Sequence, residues 1–377
     1  MSEHPGLGAP RHWLLTAAQD LVDTQKVVQI DACATVEEAC DALIEHNIQS
    51  VPLYDARSHS YVGMFDVHDL AAFILARRST RPSSQPGTGS PLSRRVLEPA
   101  EPASNDLVGR ISDLSHLNPF YSVVPETTVA QVAQVFAKGA HRVAVMQSDR
   151  EIRGILSQAR VVRFFFEHSD NATLAEHQLL DTSLDTLGLV TRDVVYVSPD
   201  TPVLKALSLL ESHRVSSLPL VDNEQRLVGS LSLSDVKHLA RNRQLTRASC
   251  RELVQAARYV QGLREGQDKA AIFSARPQAT LRYVLAKLIA TGAHRIWISE
   301  AVSSVTSSTP ETTPASNRRA SVSSASSQTV PVDLARYAGE FGDRVCGVVS
   351  LTDILRLLVD SAPSPRADPD YNYASMD

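Results

Sequence analysis

The chain has 377 residues, of which 43% are hydrophobic and 21% charged, and this composition predicts a globular, soluble protein of two or three domains. Its formal net charge of −5 argues against a general nucleic-acid binder, because such proteins are usually basic. The four cysteines form no CxxC pair and lack a histidine at metal-binding spacing, so we expect reduced thiols and no metal site. The N-terminus carries no apolar signal segment and no run reaches membrane-spanning length, which favours an intracellular protein without membrane contact.

Four segments share one order of predicted elements: a short strand, a threonine, a helix, two strands joined by a turn, and a second helix. The later strands are short and apolar, as in VGMF, GIL, VGSL and CGVV. One such unit is too small to bury its own helices well, so we expect the units to pair. The repeated pattern occupies 27–75, 120–166, 194–240 and 271–359.

A threonine precedes the first helix of each unit, at the position expected for an N-cap residue. In the first unit Thr35 is followed three residues later by Glu38, which predicts a capping box. In the third unit Thr201 precedes Pro202, a residue suited to the first helical position. The first helix of the fourth unit has an apolar face at helical spacing, formed by Leu281, Val284, Leu285, Leu288 and Ile289. The four threonines are Thr35, Thr128, Thr201 and Thr280.

Two polar stretches separate or interrupt these units. The segment STRPSSQPGTGSPLSRRVLEPAEPASN is rich in proline and small residues, which predicts a disordered linker. A Ser/Thr-rich stretch within the fourth unit predicts a long loop between two strands, and such a loop is tolerable because closure costs grow slowly with length. Within it, Arg318-Arg319-Ala320-Ser321 matches a basophilic-kinase substrate, so Ser321 is a candidate phosphorylation site.

These patterns predict seven consecutive regions. They are an N-terminal tail (1–21), repeat one (22–78), a linker (79–106), repeat two (107–170), repeat three (178–243), repeat four (262–360) with an insertion (301–340), and a C-terminal tail (361–377).

The second helix of each repeat follows a Gly-h-h-[Ser/Thr]-x-x-Asp element, where h is apolar, and GVVSLTDILRLLV at 347–359 is its most complete copy. The whole unit resembles the CBS domain, and four units in tandem resemble two Bateman modules, in which CBS repeats pair. The resemblance covers most of residues 22–360. It implies an α/β (α+β) fold of four β-α-β-β-α repeats.

Among proteins with four such repeats, the chain resembles the fungal stress-response and cell-separation family of the suppressor-of-dis2 type. The stretches NPFYSVVPETT, GILSQARVVRFF, LSLSDVKHLARNRQ and AKLIATGAHRIWI carry this likeness. A more distant likeness is to the gamma subunit of the AMP-activated (SNF-type) protein kinase, which would have threonine where this chain has Asp66.

The resemblance implies that adenine nucleotides bind in clefts between paired repeats. In repeat four, Asp353 matches the aspartate that holds the ribose hydroxyls, and a carboxylate accepts two hydroxyls well. Ser350 and Thr352 match hydroxyls that approach phosphate or ribose at a helix N-terminus. His294 and Arg295 match a basic pair that meets phosphate. The alternative is that Thr352 or Asp353 only caps the helix and that Arg295 forms a surface ion pair.

The resemblance extends to repeats three and two in part. Repeat two keeps His141 and Arg142, but Arg160 replaces the aspartate, so the ribose site is lost there. Arg160 is predicted either to reach a phosphate held by a neighbouring repeat or to lie in solvent. The candidates in repeat three are Ser232, Ser234, Asp235, His213 and Arg214, and the threonines Thr201 and Thr280 join the candidate set.

Repeat one departs furthest from the pattern. It has Asp69 at the ribose position but Asp66 at the hydroxyl position, and a second carboxylate there would repel phosphate. Ile48 and Gln49 stand where the basic pair is expected. We therefore expect repeat one to be mainly structural or to bind an uncharged part of a ligand.

We expect a non-enzymatic regulator that needs no cofactor and takes AMP, ADP or ATP as a regulatory ligand. The resemblance implies a type-2A-like phosphatase as partner, in stress response, cell cycle and cell separation, in the cytoplasm and nucleus. The alternatives are a gamma-type subunit of a protein kinase complex and a ligand-free scaffold. An enzyme is disfavoured, because the sequence shows no nucleophile, P-loop or metal motif.

Overall fold

A computed structural model describes residues 13–22, 27–79, 107–171, 173–241, 243–265, 272–301 and 342–361. Most of the predicted linker and insertion lies outside the described residues, as do most of both tails and the candidate phosphorylation site Ser321.

The described elements follow the predicted order in each repeat. Repeat one contains β1 (Ile30–Asp31), α1 (Val36–Glu45), β2 (Ser50–Asp55), β3 (Ser60–Asp66) and α2 (Val67–Ser79). Repeat two contains α3 (Val108–Ile111), β4 (Ser122–Val123), α4 (Val129–Ala137), β5 (Arg142–Ser148), β6 (Glu151–Ser157) and α5 (Gln158–Glu167). After α6 (Leu174–Asp181), repeat three contains α7 (Val203–Ser212), β7 (Ser217–Val221), β8 (Leu227–Ser232) and α8 (Leu233–Arg241). After α9 (Cys250–Glu265), repeat four contains β9 (Ser274–Ala275), α10 (Leu281–Thr291), β10 (Arg295–Glu300), β11 (Arg344–Ser350) and α11 (Leu351–Ser361).

Each repeat builds one small sheet. Its first strand runs parallel to the middle strand, and the middle strand runs antiparallel to the third. In repeat three the first strand is reduced to a single parallel bridge between Val197 and Leu220. In all four repeats the first residue of the middle strand lies opposite the last residue of the third strand, and this register identifies equivalent positions. The four pairs are Ser50–Asp66, Arg142–Ser157, Ser217–Ser232 and Arg295–Ser350.

The predicted helix caps are present in three repeats. Thr35 and Thr128 form capping boxes, and the Thr280 hydroxyl accepts the Tyr283 N–H. In repeat three the prediction for Thr201 is wrong. The N-cap of α7 is Pro202, which makes no side-chain cap, and Thr201 lies one residue before it.

Repeats one and two, and repeats three and four, form two modules by exchanging the segments that precede them. We call these the leader segments; each bridges to the start of the first helix of the partner repeat. The four bridges are Ala17–Thr128, Leu107–Thr35, Ser183–Thr280 and Ser249–Pro202. The leaders pass directly over the third strands, which explains a glycine there: a Cβ on Gly154 would lie 2.6 Å from the Val22 Cβ.

Two apolar cores join the modules to each other. One is shared by repeats two and four, where α11 packs against α4 and α5. The other is shared by repeats one and three, where α2 packs against α7 and α8. Sheets and leaders therefore hold each module together, and helices join the two modules, as expected for paired Bateman modules. Among the described helices, none has the length and apolar character that a membrane span requires.

Candidate functional site

Basic residues from repeats two and four meet where the two modules join. His141 and Arg142 stand at the start of β5, and His294 and Arg295 stand at the start of β10. Electrostatic effects connect the two modules here. The Arg295 guanidinium lowers the pKa of His141, and the Arg142 guanidinium lowers the pKa of His294. We call these four residues the basic cluster.

The cluster concentrates positive charge where the surrounding protein partly displaces water. Burial, together with the neighbouring His68 and Arg142, lowers the pKa of His141 to about 3. Solvent reaches the His294 side chain, yet surrounding protein displaces enough water to lower its pKa to about 4, with help from both guanidinium groups. Burial lowers the pKa of Arg295 to about 10, so both arginines are charged and both imidazoles neutral near pH 7. Partly desolvated guanidinium groups of this kind are stabilised by a bound anion.

Repeat one faces the repeat-two side of the cluster with a buried polar network. The Asp66 carboxylate is 2% exposed, lies 3.1 Å from the His68 ring nitrogen Nδ1 and accepts a hydrogen bond from the Asn118 side-chain amide. The Asn118 carbonyl oxygen in turn lies 2.7 Å from His141 Nδ1. The His68 and His141 rings stack with centroids 5.4 Å apart. A carboxylate thus stands two hydrogen bonds away from the basic cluster.

Asp69, at the ribose position of repeat one, is fully engaged by the chain. Its carboxylate accepts the Ser115 N–H at 2.9 Å and the Asp113 N–H at 3.2 Å, both from the leader of repeat two. Burial, together with the neighbouring Asp66 carboxylate, raises the pKa of Asp69 to about 7. These contacts support the structural role predicted for repeat one.

In repeat four the serine and aspartate of the motif form a helix cap. The Ser350 hydroxyl donates to Asp353 Oδ2 at 2.6 Å, and the Ser350 N–H donates to the same oxygen at 2.9 Å. The other Asp353 oxygen lies 3.7 Å from an Arg356 nitrogen. The Asp353 charge also acts to raise the pKa of Arg295, which places the carboxylate beside the basic cluster. Asp353 therefore caps α11 and lies next to the cluster at the same time.

The Thr352 hydroxyl is taken up by a contact between repeats. It accepts a hydrogen bond from Gln158 Nε2 of repeat two at 3.0 Å. Arg295 also reaches another repeat, because its guanidinium donates to the Ser216 hydroxyl of repeat three. Hydrogen bonds at or beside the basic cluster therefore join repeat four to repeats two and three, and repeat two to repeat one.

Repeat three keeps the cap but lacks the basic pair. Asp235 accepts the Ser232 N–H at 2.7 Å and the Ser232 hydroxyl at 3.1 Å, while burial raises its pKa. Ser234 lies partly buried at the position of Thr352. The strand register puts Ser216 and Ser217, and not His213 and Arg214, at the position of the basic pair.

The prediction for His213 and Arg214 is therefore corrected. His213 is the C-cap of α7, and Arg214 has a φ of 52° in the turn that follows. Arg214 lines a cavity of about 230 Å³ between repeats one and three, together with His68 and Leu210. The shared letters His-Arg were misleading, whereas the match of SLPL in repeat three to SVPL in repeat one would have given the correct register.

Arg160 contacts the leader of repeat one and also borders repeat four across a cavity. Its Nε donates to the Leu21 carbonyl at 3.0 Å, and its side chain lines a cavity of about 210 Å³ between repeats two and four. Thr280 serves as the N-cap of α10. Sequence reasoning missed Asn118, His68, Ser216 and Gln158, whose roles depend on contacts between distant parts of the chain. In the described part of the chain, no group of histidine, cysteine and acidic side chains is suited to a metal ion.

The comparisons with known proteins agree with this architecture. The CBS domain model matches residues 18–76, 111–167 and 187–242. Protein sds23 of Aspergillus niger is 30% identical over 95% of this chain and 75% of that protein, and Protein SDS23 of Eremothecium gossypii is 31% identical over 92% and 76%. Protein MJ1225 of Methanocaldococcus jannaschii, a proposed archaeal homologue of γ-AMPK, shares the fold with a TM-score of 0.61, at 13% identity, over 91% of this chain and 100% of that chain. This chain belongs to the SDS23 family of CBS-domain proteins.

Proposed function

We propose that this protein is a non-catalytic regulator that binds an adenine nucleotide with its phosphates at the basic cluster. The observation that carries this proposal is that Arg142 and Arg295, from two repeats, meet in one basic cluster, where each guanidinium acts on the histidine of the other pair. Guanidinium groups form paired hydrogen bonds with phosphate oxygens, and these bonds are strong where water is scarce. The N-terminus of α11 directly follows Ser350, which pairs with Arg295, and its partial positive charge also favours a bound anion.

Asp353 is the group proposed for the ribose. Its side chain is 22% exposed, and within the described part of the chain its Oδ1 has one ion-pair contact, at 3.7 Å from an Arg356 nitrogen. A carboxylate oxygen in that position can exchange the arginine contact for a sugar hydroxyl. Recognition of adenine itself rests on the resemblance to nucleotide-binding CBS pairs, and no cofactor is required.

Binding would act on contacts between repeats. Arg295 bonds to Ser216 of repeat three, and Thr352 bonds to Gln158 of repeat two. A ligand that takes over the arginine would change those contacts and so the surface shown to a partner, to the extent that it binds the two arrangements differently. The partner class that the family resemblance implies is a type-2A-like phosphatase, in stress response, cell cycle and cell separation, in the cytoplasm and nucleus.

Calorimetric titration of the full chain with AMP, ADP and ATP tests the proposal. We expect saturable binding that Arg295→Ala weakens by about tenfold or more, because a charged hydrogen-bond pair is lost. Arg214→Ala is the matched control, since it removes an arginine of the same predicted set that lies outside the cluster. No binding by the unsubstituted chain at millimolar nucleotide would overturn the proposal.

Affinity purification from cells separates the regulatory alternatives. Recovery of a phosphatase catalytic subunit supports the proposed partner class. Recovery of kinase alpha and beta subunits supports a gamma-type subunit instead. A partner that binds equally well to the Arg295→Ala variant, with or without nucleotide, supports a ligand-free scaffold.

A further inference from the structure

The two basic pairs of the cluster differ in what faces them. The register makes Asp66, Ser157, Ser232 and Ser350 equivalent, each at the end of the third strand and just before the second helix. Three repeats carry a hydroxyl at this position and repeat one carries a carboxylate. Repeat one is the module partner of repeat two, and the Asp66 carboxylate lies close enough to Arg142 for each charge to act on the pKa of the other. Repeat three is the module partner of repeat four and carries Ser232 at the equivalent position, while the Arg295 guanidinium donates to the repeat-three hydroxyl of Ser216.

Asp66 is bound the way an anion at a helix N-terminus is bound. Its Oδ1 accepts the His68 N–H at 2.8 Å and the Asp69 N–H at 3.0 Å, which are amides of the first turn of α2. Its Oδ2 accepts the Asn118 amide and lies 3.1 Å from the His68 ring. The side chain is 2% exposed, so it does not exchange these donors for water.

Asp353, the carboxylate whose charge acts on the pKa of Arg295, makes different contacts. It accepts both donors of Ser350 and contacts Arg356, which are groups of its own helix start. Asp66 by contrast connects through Asn118 to His141, the residue adjacent to Arg142. The negative charge of repeat one is thus fixed against the repeat-two pair, whereas that of repeat four is largely used in capping α11.

We propose that the Asp66 carboxylate is a built-in occupant of the anion position beside Arg142, so that the chain offers one phosphate position, at Arg295, where two basic pairs would otherwise provide two. This inference rests on the proposed function, because it assigns the phosphate to the repeat-four side of the same cluster. The ionisation state of the Asp66 carboxylate is consistent with this role. Burial acts to raise the pKa of Asp66, but His68 and Arg142 outweigh that effect and hold it at about 2, so the occupant stays charged at neutral pH.

The test exchanges the residues between the two modules. Asp66→Ser gives repeat one the hydroxyl of the other repeats, and Ser232→Asp places a carboxylate at the equivalent position of repeat three, the module partner of repeat four. Inorganic pyrophosphate and ADP are titrated calorimetrically into the full-length variants at fixed ionic strength near neutral pH. We expect about one equivalent of pyrophosphate for the unsubstituted chain and about two for Asp66→Ser. We expect Ser232→Asp to weaken the original site by about tenfold or more.

Further variants locate the second equivalent. It should disappear in Asp66→Ser with Arg142→Ala and persist in Asp66→Ser with Arg295→Ala. If Asp66→Ser does not fold, as judged by circular dichroism, Asp66→Asn removes the charge while keeping the shape and one acceptor oxygen, and the same second equivalent is expected.

The outcomes separate this inference from the proposed function. Binding by the unsubstituted chain with an unchanged stoichiometry and affinity in the folded Asp66 variants overturns the inference and leaves the proposed function intact. Binding by the Asp66 variants alone, at Arg142, supports Asp66 as the occupant of the position beside Arg142 and overturns the phosphate position at Arg295, and with it the proposed function. Absence of binding in all variants overturns both.

Discussion

The hydroxyl of Thr352 in repeat four accepts a hydrogen bond from the Gln158 side-chain amide of repeat two, with 3.0 Å between Nε2 and Oγ1. The same Gln158 nitrogen lies 2.8 Å from the Ala140 carbonyl, one residue before the basic pair of repeat two. A hydroxyl that the sequence motif assigns to a ligand is therefore part of the contact between two repeats. It links the start of α11 to the strand that carries Arg142.

Thr352→Val should separate these two roles. Loss of one partly buried hydrogen bond lowers the free energy of unfolding by about 0.5–1.5 kcal/mol, and ADP affinity should stay within about twofold of the unsubstituted chain. Urea unfolding and calorimetry measure the two quantities. Thr352→Ser, which keeps the hydroxyl, is the control and should lose little stability. A tenfold loss of affinity with unchanged stability would instead assign the hydroxyl to the ligand.

Local signals in the sequence were sufficient for the repeat unit and its caps. The capping boxes at Thr35 and Thr128 are complete within four residues, so neighbouring letters encode them. Pairing of repeats into modules also followed from the size of one unit. The cap at Thr201 failed because an extra residue precedes α7, where Pro202 takes over the position.

The site was less accessible to sequence reasoning because its contacts span the chain. Gln158 and Thr352 are 194 residues apart, and no local pattern encodes their hydrogen bond. The His213-Arg214 pair was misplaced because the shared letters His-Arg were aligned, whereas the strand register shows that Ser217 is equivalent to Arg295. Asp66, by contrast, was visible as an exception in the motif, although its partners Asn118 and His141 were not.

Asp353→Ala should distinguish ribose recognition from phosphate recognition. We expect ADP affinity to fall by about tenfold, because a charged acceptor for sugar hydroxyls is lost, while pyrophosphate affinity changes little. Loss of the cap should also cost about 1 kcal/mol of stability, which urea unfolding detects. Asp235→Ala is the matched control, since repeat three has the same cap without a basic pair, and its ADP affinity should hold. Equal losses for ADP and pyrophosphate would contradict a ribose role for Asp353.

The pH dependence of stability should report the buried Asp69. Its pKa is raised from 3.8 to about 7 by burial and by Asp66, so the folded state holds the proton more tightly than the unfolded chain. Its contribution is complete below pH 3.8 and is lost as the pH rises through about 7. His141 acts oppositely, because burial lowers its pKa from 6.5 to about 3 and its contribution is lost as the pH falls through that range.

Asp69→Asn removes the first of these opposing trends. Between about pH 4 and 6.5 its unfolding free energy should rise with pH more steeply than that of the unsubstituted chain, by up to about 1.4 kcal/mol per pH unit. Urea unfolding at several pH values across this window measures the slope. His141→Gln should change the slope in the opposite direction. Superimposable profiles for the three proteins would show that neither group titrates differently on folding.

The exchange of leader segments makes a prediction about Gly347. A Cβ at this position would overlap a methyl group of Val190, which lies in the leader of repeat three, and would approach the Thr191 carbonyl. Thr191 and Val348 exchange two backbone hydrogen bonds, of 3.0 and 2.9 Å, so the leader cannot move away without losing them. Gly347→Ala should therefore lower the unfolding free energy by about 1–3 kcal/mol, as overpacking does. Val190→Ala in the same chain removes the overlapping methyl and should restore part of that loss. A double variant no more stable than Gly347→Ala alone would mean that the leader does not lie against β11 in solution.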